Sequence, residues 1–326
     1  MLKKFNNKIL LVIFAILAVL VVIVLFYENK NGDRTFKSDL FTVDSAKVTL
    51  INIYPKTKNN KAITLVKTGK NWEIKTNNKT FPADSTAIQR ILHTLAHIKA
   101  ERVAGIDKSS WANFEITDTS STHVVVEQDK ETVADFRIGK YTFTQSNERQ
   151  YRQNNVKVNS HIRVAGDDRV YVVDGFLNMM FSDQASQYRN GIVFRFNKEQ
   201  LTKLTFNYPA DSSFTLTKSG NKWLVNDQPA DSAEVERYFN SIANTVDSEF
   251  ADDELKIPTS THKLKIEGNN MPAIEVNGVS DTLSKKYFIN STYNLSASFA
   301  SSNSYLYNKI FASKNKFKNV SKNSKK

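Results

Sequence analysis

His93 and His97 stand four residues apart in "HTLAH", a spacing that places two imidazoles on one face of a helix and within reach of one metal ion. The glutamate that zinc proteases carry beside such a first histidine is missing. The pair also falls opposite the apolar positions of its segment, so both side chains are read as solvent-facing. His123 and His262 each follow Ser-Thr and open a β-like run, "HVVVE" and "HKLKIE". A serine–histidine hydrolase needs its nucleophile on a strained turn and a carboxylate to orient the imidazole. The chain contains no Gly-x-Ser-x-Gly, and both histidines are read as strand-edge residues. Asp167-Asp168 in "AGDDRVY" could bind calcium or do acid–base work, but the calcium-loop pattern is absent and a turn role is expected. Arg189 in "QYRNG" is a candidate buried or interface arginine. Ten glycines in 326 residues include no phosphate-binding loop, and the absence of cysteine excludes disulfides and thiolate chemistry. No catalytic, metal-binding or cofactor-binding residue is therefore assigned.

The elements that would position these residues recur. "FPADSTAIQR" at residues 81–90 returns as "QPADSAEVER" at 228–237, and "ITLVKTGKNW" at 63–72 as "FTLTKSGNKW" at 214–223. Tyr54-Pro55 corresponds to Tyr208-Pro209, and "SSTHVVVEQ" to "TSTHKLKIE". Gly69 and Gly220 mark tight hairpin turns, and the following Trp72 and Trp223 are core anchors. Proline ends a strand, Asp84 and Asp231 cap a helix, and Glu234 completes a capping box. Ile88, Ile91, Leu92, Leu95 and Ile98 give the first helix an apolar stripe. Val235, Tyr238, Phe239, Ile242 and Val246 do so for the second. His93 and His97 are matched by Asn240 and Asn244, so the histidine pair is not part of the shared design. A further helix is expected from about Asp174, with a weaker partner at Leu306 and Ile310. The fold expected is α+β: two tandem, similar modules of antiparallel sheet with packed helices, at 39–190 and 191–313.

Residues 9–27 contain no charge, and sixteen of the nineteen are Ile, Leu, Val or Phe. At roughly −0.4 kcal/mol each, their insertion into a bilayer is favoured by about 6 kcal/mol. A transmembrane helix is expected there, after a basic cytoplasmic stretch at 1–8 and before a linker at 28–38. Lys3, Lys4 and Lys8 place the body outside the inner membrane, in the periplasm. The net charge of +12 is concentrated at the ends. Without three N-terminal lysines and six after residue 313, residues 9–313 carry +3, which argues against nucleic acid as a partner. The stretch 314–326 is expected to be a disordered basic tail.

"FTVD" at 41–44, the Gly-x-x-Trp hairpin, Pro-Ala-Asp opening a helix, and 169–196 with Tyr188-Arg189-Asn190 resemble the bacterial family called domain of unknown function 4340. The resemblance covers about 41–250. "WANFEIT" at 111–117 departs from the Tyr-Gly-Leu-like turn usual there. The resemblance implies a membrane-anchored protein with an exported domain, similar to parts of gliding-motility auxiliary components associated with ABC transporters. It implies no catalytic residue. The function expected is a non-enzymatic, single-pass envelope protein with protein partners, an accessory or scaffold for an assembly such as an ABC transporter complex. The alternative is a module binding an envelope glycan such as peptidoglycan.

Overall fold

The computed structural model describes residues 14–21, 36–56, 61–76, 79–145, 156–251 and 258–319. The chain forms two compact units, Met1–Val48 with His93–Phe181 and Thr49–Leu92 with Ser182–Lys326. The module expected at 39–190 thus contributes to both.

The unit containing the C-terminus holds two antiparallel arrays. In the first, β1 (Val48–Tyr54), β2 (Ile63–Thr68), β3 (Asn71–Thr76) and β4 (Lys79–Pro82) run in the order β4-β3-β2-β1. Alternation explains β2, where Ile63 and Leu65 are buried and Thr64 and Val66 are half-buried. The second array has eight strands. It comprises β11 (Leu201–Asn207), β12 (Phe214–Ser219), β13 (Lys222–Val225), β14 (Gln228–Pro229), β16 (His262–Gly268), β17 (Ile274–Asp281), β18 (Lys286–Ser291) and β19 (Asn294–Ser301), ordered β14-β13-β12-β11-β16-β17-β18-β19. Separately, β10 (Ile192–Arg195) pairs with β15 (Asn244–Val246). Phe206, Leu216, Tyr238, Phe239, Leu264, Phe299 and Phe317 belong to one buried core. The other unit holds β5 (Ala100–Gly105), β6 (Thr122–Gln128), β7 (Glu131–Gln145), β8 (Val156–Val164) and β9 (Val170–Asp174), ordered β6-β7-β8-β9-β5 and antiparallel throughout.

The repeated words yield repeated structure. The order β4-β3-β2-β1 returns as β14-β13-β12-β11, and β6-β7-β8-β9 returns as β16-β17-β18-β19. The hairpin glycines have φ of +62° at Gly69 and +57° at Gly220, the left-handed region that the turn requires. Trp72 faces Lys67 across its hairpin as Trp223 faces Lys218.

Three expectations need correction. The fold class is not α+β led by a membrane helix, because antiparallel strand dominates. Of residues 9–27, only 14–21 are among the described residues, and they are helical, α1. Among the described residues no helix is long and apolar enough to cross a membrane. The longer helices are α2 (Ser85–His97) and α4 (Ser232–Ile242), which follow the repeated phrase. The helix expected from Asp174 is reduced to one turn, α3 (Leu177–Met180), followed by a 3-10 turn at Ala185–Tyr188. Its counterpart α5 (Tyr305–Ile310) is six residues long and likewise precedes a 3-10 turn, Lys314–Phe317. The tail expected from 314 is therefore folded as far as 319: Phe317 is fully buried, because one aromatic ring among lysines still carries a large apolar area. Residues 320–326 lie outside the described residues.

Candidate functional site

The repeated Pro-Ala-Asp phrase is a junction of three chain segments. The carbonyl of Trp72 accepts from Ala83 N–H at 2.9 Å, and that of Trp223 from Ala230 N–H at 3.0 Å. The aspartate then caps its helix. Asp84 Oδ1 accepts from Thr86 N–H at 2.8 Å, and Asp231 Oδ1 from Ala233 N–H at 2.9 Å and Glu234 N–H at 3.1 Å. The third segment is distant in sequence. Asp84 N–H donates to Tyr188 O at 2.7 Å, and Asp231 N–H to Phe317 O at 2.9 Å. Ala83 is bridged to Arg189 and Ala230 to Lys318. Tyr188-Arg189-Asn190 and Phe317-Lys318-Asn319 are thus the same closing strap in two copies. The expected capping box at Glu234 does not form, because the Asp231 N–H it would satisfy already bonds the strap. Glu234 instead pairs with Arg237 at 2.7 Å.

One difference between the copies opens a site. Eight residues after the capping aspartate stands Phe239 in one copy and Leu92 in the other. The Phe239 ring meets Trp223 edge to face at 4.9 Å and is buried. Beside Trp72 the smaller Leu92 leaves a groove of about 520 Å³. Trp72, Pro82, Ile88 and Leu92 supply its apolar lining; Lys70, Glu73, Gln89 and Asn190 add polar groups.

Arg189 marks a second feature. It is 6% exposed, and its guanidinium carbon lies 3.6 Å from the ring centres of both Phe81 and Phe250. Such a double stack suits the flat, weakly hydrated guanidinium and not an ammonium. The second copy has exposed Gln228 and Lys318 at the matching places, so the clamp occurs once. A cleft of about 530 Å³ is lined by Arg189, Gly191, Ile192, Val246 and Asp247 among others. Asp247 has its carboxyl pKa raised by burial. Gly191 is required there, since a Cβ would lie 2.2 Å from the Asp247 carbonyl oxygen. Asn294 Nδ2 donates to Asn190 O at 3.1 Å and Ile192 O at 2.8 Å, which fixes the segment after the strap.

The sequence profile of the family described as Domain of unknown function (DUF4340) matches residues 19–109 and 72–265, more than half of the chain. The chain belongs to the DUF4340 family. No curated protein and no solved structure matches it.

In this DUF4340 protein the residues singled out for chemistry are dispersed. His93 and His97 are exposed on α2, their rings stacked at 4.2 Å, and the His97 ring nitrogen Nδ1 lies 2.7 Å from His93 O. His123 Nε2 meets Asp135 Oδ1 at 2.8 Å on neighbouring strands. Nearby Ser121 already donates its hydroxyl to Thr117 O at 2.6 Å. His262 packs against Tyr208 at 4.7 Å and against Tyr307 and Phe311, and burial lowers its pKa. Asp167 is held by Arg169 through both carboxylate oxygens and by the Tyr171 hydroxyl at 2.6 Å. The Arg169 hydrogen bonds, aided by Tyr171, lower its pKa to about 2. Asp168 gives its carbonyl to the Trp111 indole at 2.8 Å, so "WANFEIT" braces the acidic turn. The sequence reading overlooked His161, which is buried against Phe114 with its pKa lowered by burial. It lies inside the strand pattern of β8 and had no motif to reveal it. Among the described residues no group of three or more His, Cys, Asp or Glu could hold a metal ion. The Trp72 groove was equally hidden, because it depends on which residue faces an anchor.

Proposed function

We propose that this DUF4340 protein is a non-enzymatic accessory component of a cell-envelope assembly and engages a protein partner through its Trp72 groove. The carrying observation is the groove itself: about 520 Å³ around an aromatic anchor, large enough for one or two partner side chains. The engagement of the candidate chemical residues supports the same reading. The His123–Asp135 pair, the packed His262 and the Arg169-locked Asp167 each hold local structure. An ABC transporter complex is the assembly suggested by the family resemblance, an argument from analogy. Cross-linking the full chain in cells and purifying it under denaturing conditions tests the proposal. A defined protein partner in constant ratio is expected, and a chain recovered alone would contradict it.

Glycan binding remains a second reading, favoured by Trp72 beside the amides of Asn71, Gln89 and Asn190. Retention of the full chain on purified sacculi, lost in Trp72→Ala, would carry that reading in place of the first.

A further inference from the structure

We infer that the Trp72 groove accepts an aromatic side chain carried on an acidic segment of a partner protein; this deepens the function proposed above and rests on it. The argument begins with the duplication, which provides an internal control. Both copies build the same frame: a hairpin tryptophan, a Pro-Ala strand end, a capped helix and a closing strap. In the second copy the space over the tryptophan is taken by the chain's own Phe239, buried and edge-on to Trp223 at 4.9 Å. The frame is thus complementary to a phenyl ring at that position, with the geometry that aromatic pairs favour. In the first copy Leu92 provides no ring, and the frame stands open. A partner's phenyl group would restore the contact found in the other copy.

Charge selects the segment around that ring. Residues 61–82 contain five lysines and one acid, Glu73. Lys70 lines the groove, and Lys67 faces Trp72 across the hairpin. Glu73 also lines the groove, so Lys70 and Lys67 leave one positive charge in excess beside Trp72, which favours an acidic segment over a basic one. The polar lining from Gln89 and Asn190 offers hydrogen bonds to a bound backbone.

The full chain labelled with ¹⁵N-tryptophan gives three indole signals, from Trp72, Trp111 and Trp223. The probe is acetyl-Glu-Phe-Asp-amide, titrated into the millimolar range. A saturable shift of the Trp72 signal alone is expected. Replacing the probe's phenylalanine by alanine, or its acids by lysines, weakens binding at least tenfold. Leu92→Phe, which supplies the ring found in the second copy, abolishes the response while the Trp223 signal stays in place and reports an intact fold. No shift of Trp72, an equal shift in Leu92→Phe, or a shift caused by methyl β-glucoside but not the peptide would overturn the inference. If Leu92→Phe retains the cross-linked partner in cells, the accessory function stands and the groove is not its contact.

Discussion

The carbonyl oxygen of Phe317 accepts a hydrogen bond from the backbone N–H of Asp231 at 2.9 Å, across 86 positions of sequence. That bond brings the lysine-rich C-terminal stretch back into the fold and fills the amide that a capping glutamate would otherwise take. Phe317 itself is fully buried beside Phe206, Phe214 and Tyr238. Phe317→Ala should therefore cost about 3–5 kcal/mol, as for other buried aromatics cut to alanine. Urea denaturation measures this. A loss below about 1 kcal/mol would mean the stretch is not part of the core.

Arg189 between two phenyl rings makes a different prediction. Lysine keeps the charge but cannot stack flat on both faces, so Arg189→Lys should lose about 2 kcal/mol. Lys318→Arg, the reverse change at the equivalent strap position, should gain nothing, because Gln228 supplies no ring there. Thermal melts of the two variants, run side by side, give the comparison.

The half-buried carboxyl of Asp247 carries a testable sign. Its folded-state pKa is raised by desolvation, so the charged form is the unfavourable one in the fold. Its contribution is fully present below the unfolded pKa and is lost as pH rises through the folded pKa. Asp247→Asn keeps the oxygen that accepts from Ser248 N–H at 2.7 Å and Glu249 N–H at 3.1 Å. The variant should be more stable than the parent at pH 7, and the gap should close below pH ~4. Melting temperatures across that range decide it.

Asp167 behaves in the opposite way. Its folded pKa of about 2, against an ordinary 3.8, stabilises the fold above the ordinary value, and the gain is lost as pH falls through the folded pKa. Asp167→Asn should be less stable than the parent at pH 7, and most of that difference should be gone at pH 2. Equal differences at both values would show that Arg169 does not hold the carboxylate.

Much of the scaffold was legible in the sequence, and the reasons are local. Gly69 and Gly220 announce hairpins because glycine takes a positive φ without the Cβ clash that other residues meet. Asp84 and Asp231 announce helix starts because a short acceptor after proline has a backbone donor within reach. What escaped detection depends on distant pairing. "FKN" at 317–319 does not look like "YRN" at 188–190 until Asp231 and Asp84 are seen to bond them. The composition of 314–326 is that of a solvated tail, and one buried ring reverses it. The apolar pattern from Leu177 fits a helix, but its residues bury through a single turn and a 3-10 turn. The groove escaped because Leu92 and Phe239 satisfy the same hydrophobic pattern. Phe239 lies edge-on to Trp223, whereas Leu92 lines an open groove beside Trp72.

Reciprocal exchange of those two residues is the most direct test. The account holds that the two frames are built alike and that, over the tryptophan, they differ in the ring of Phe239 against Leu92. Phe239→Leu should then cost about 1–2 kcal/mol through the lost edge-to-face contact and the space left behind. Leu92→Phe should keep stability or raise it by up to ~1 kcal/mol as the groove fills. Chemical denaturation of the full chain gives both values. A destabilising Leu92→Phe together with a neutral Phe239→Leu would contradict the equivalence of the two copies and the reading built on it.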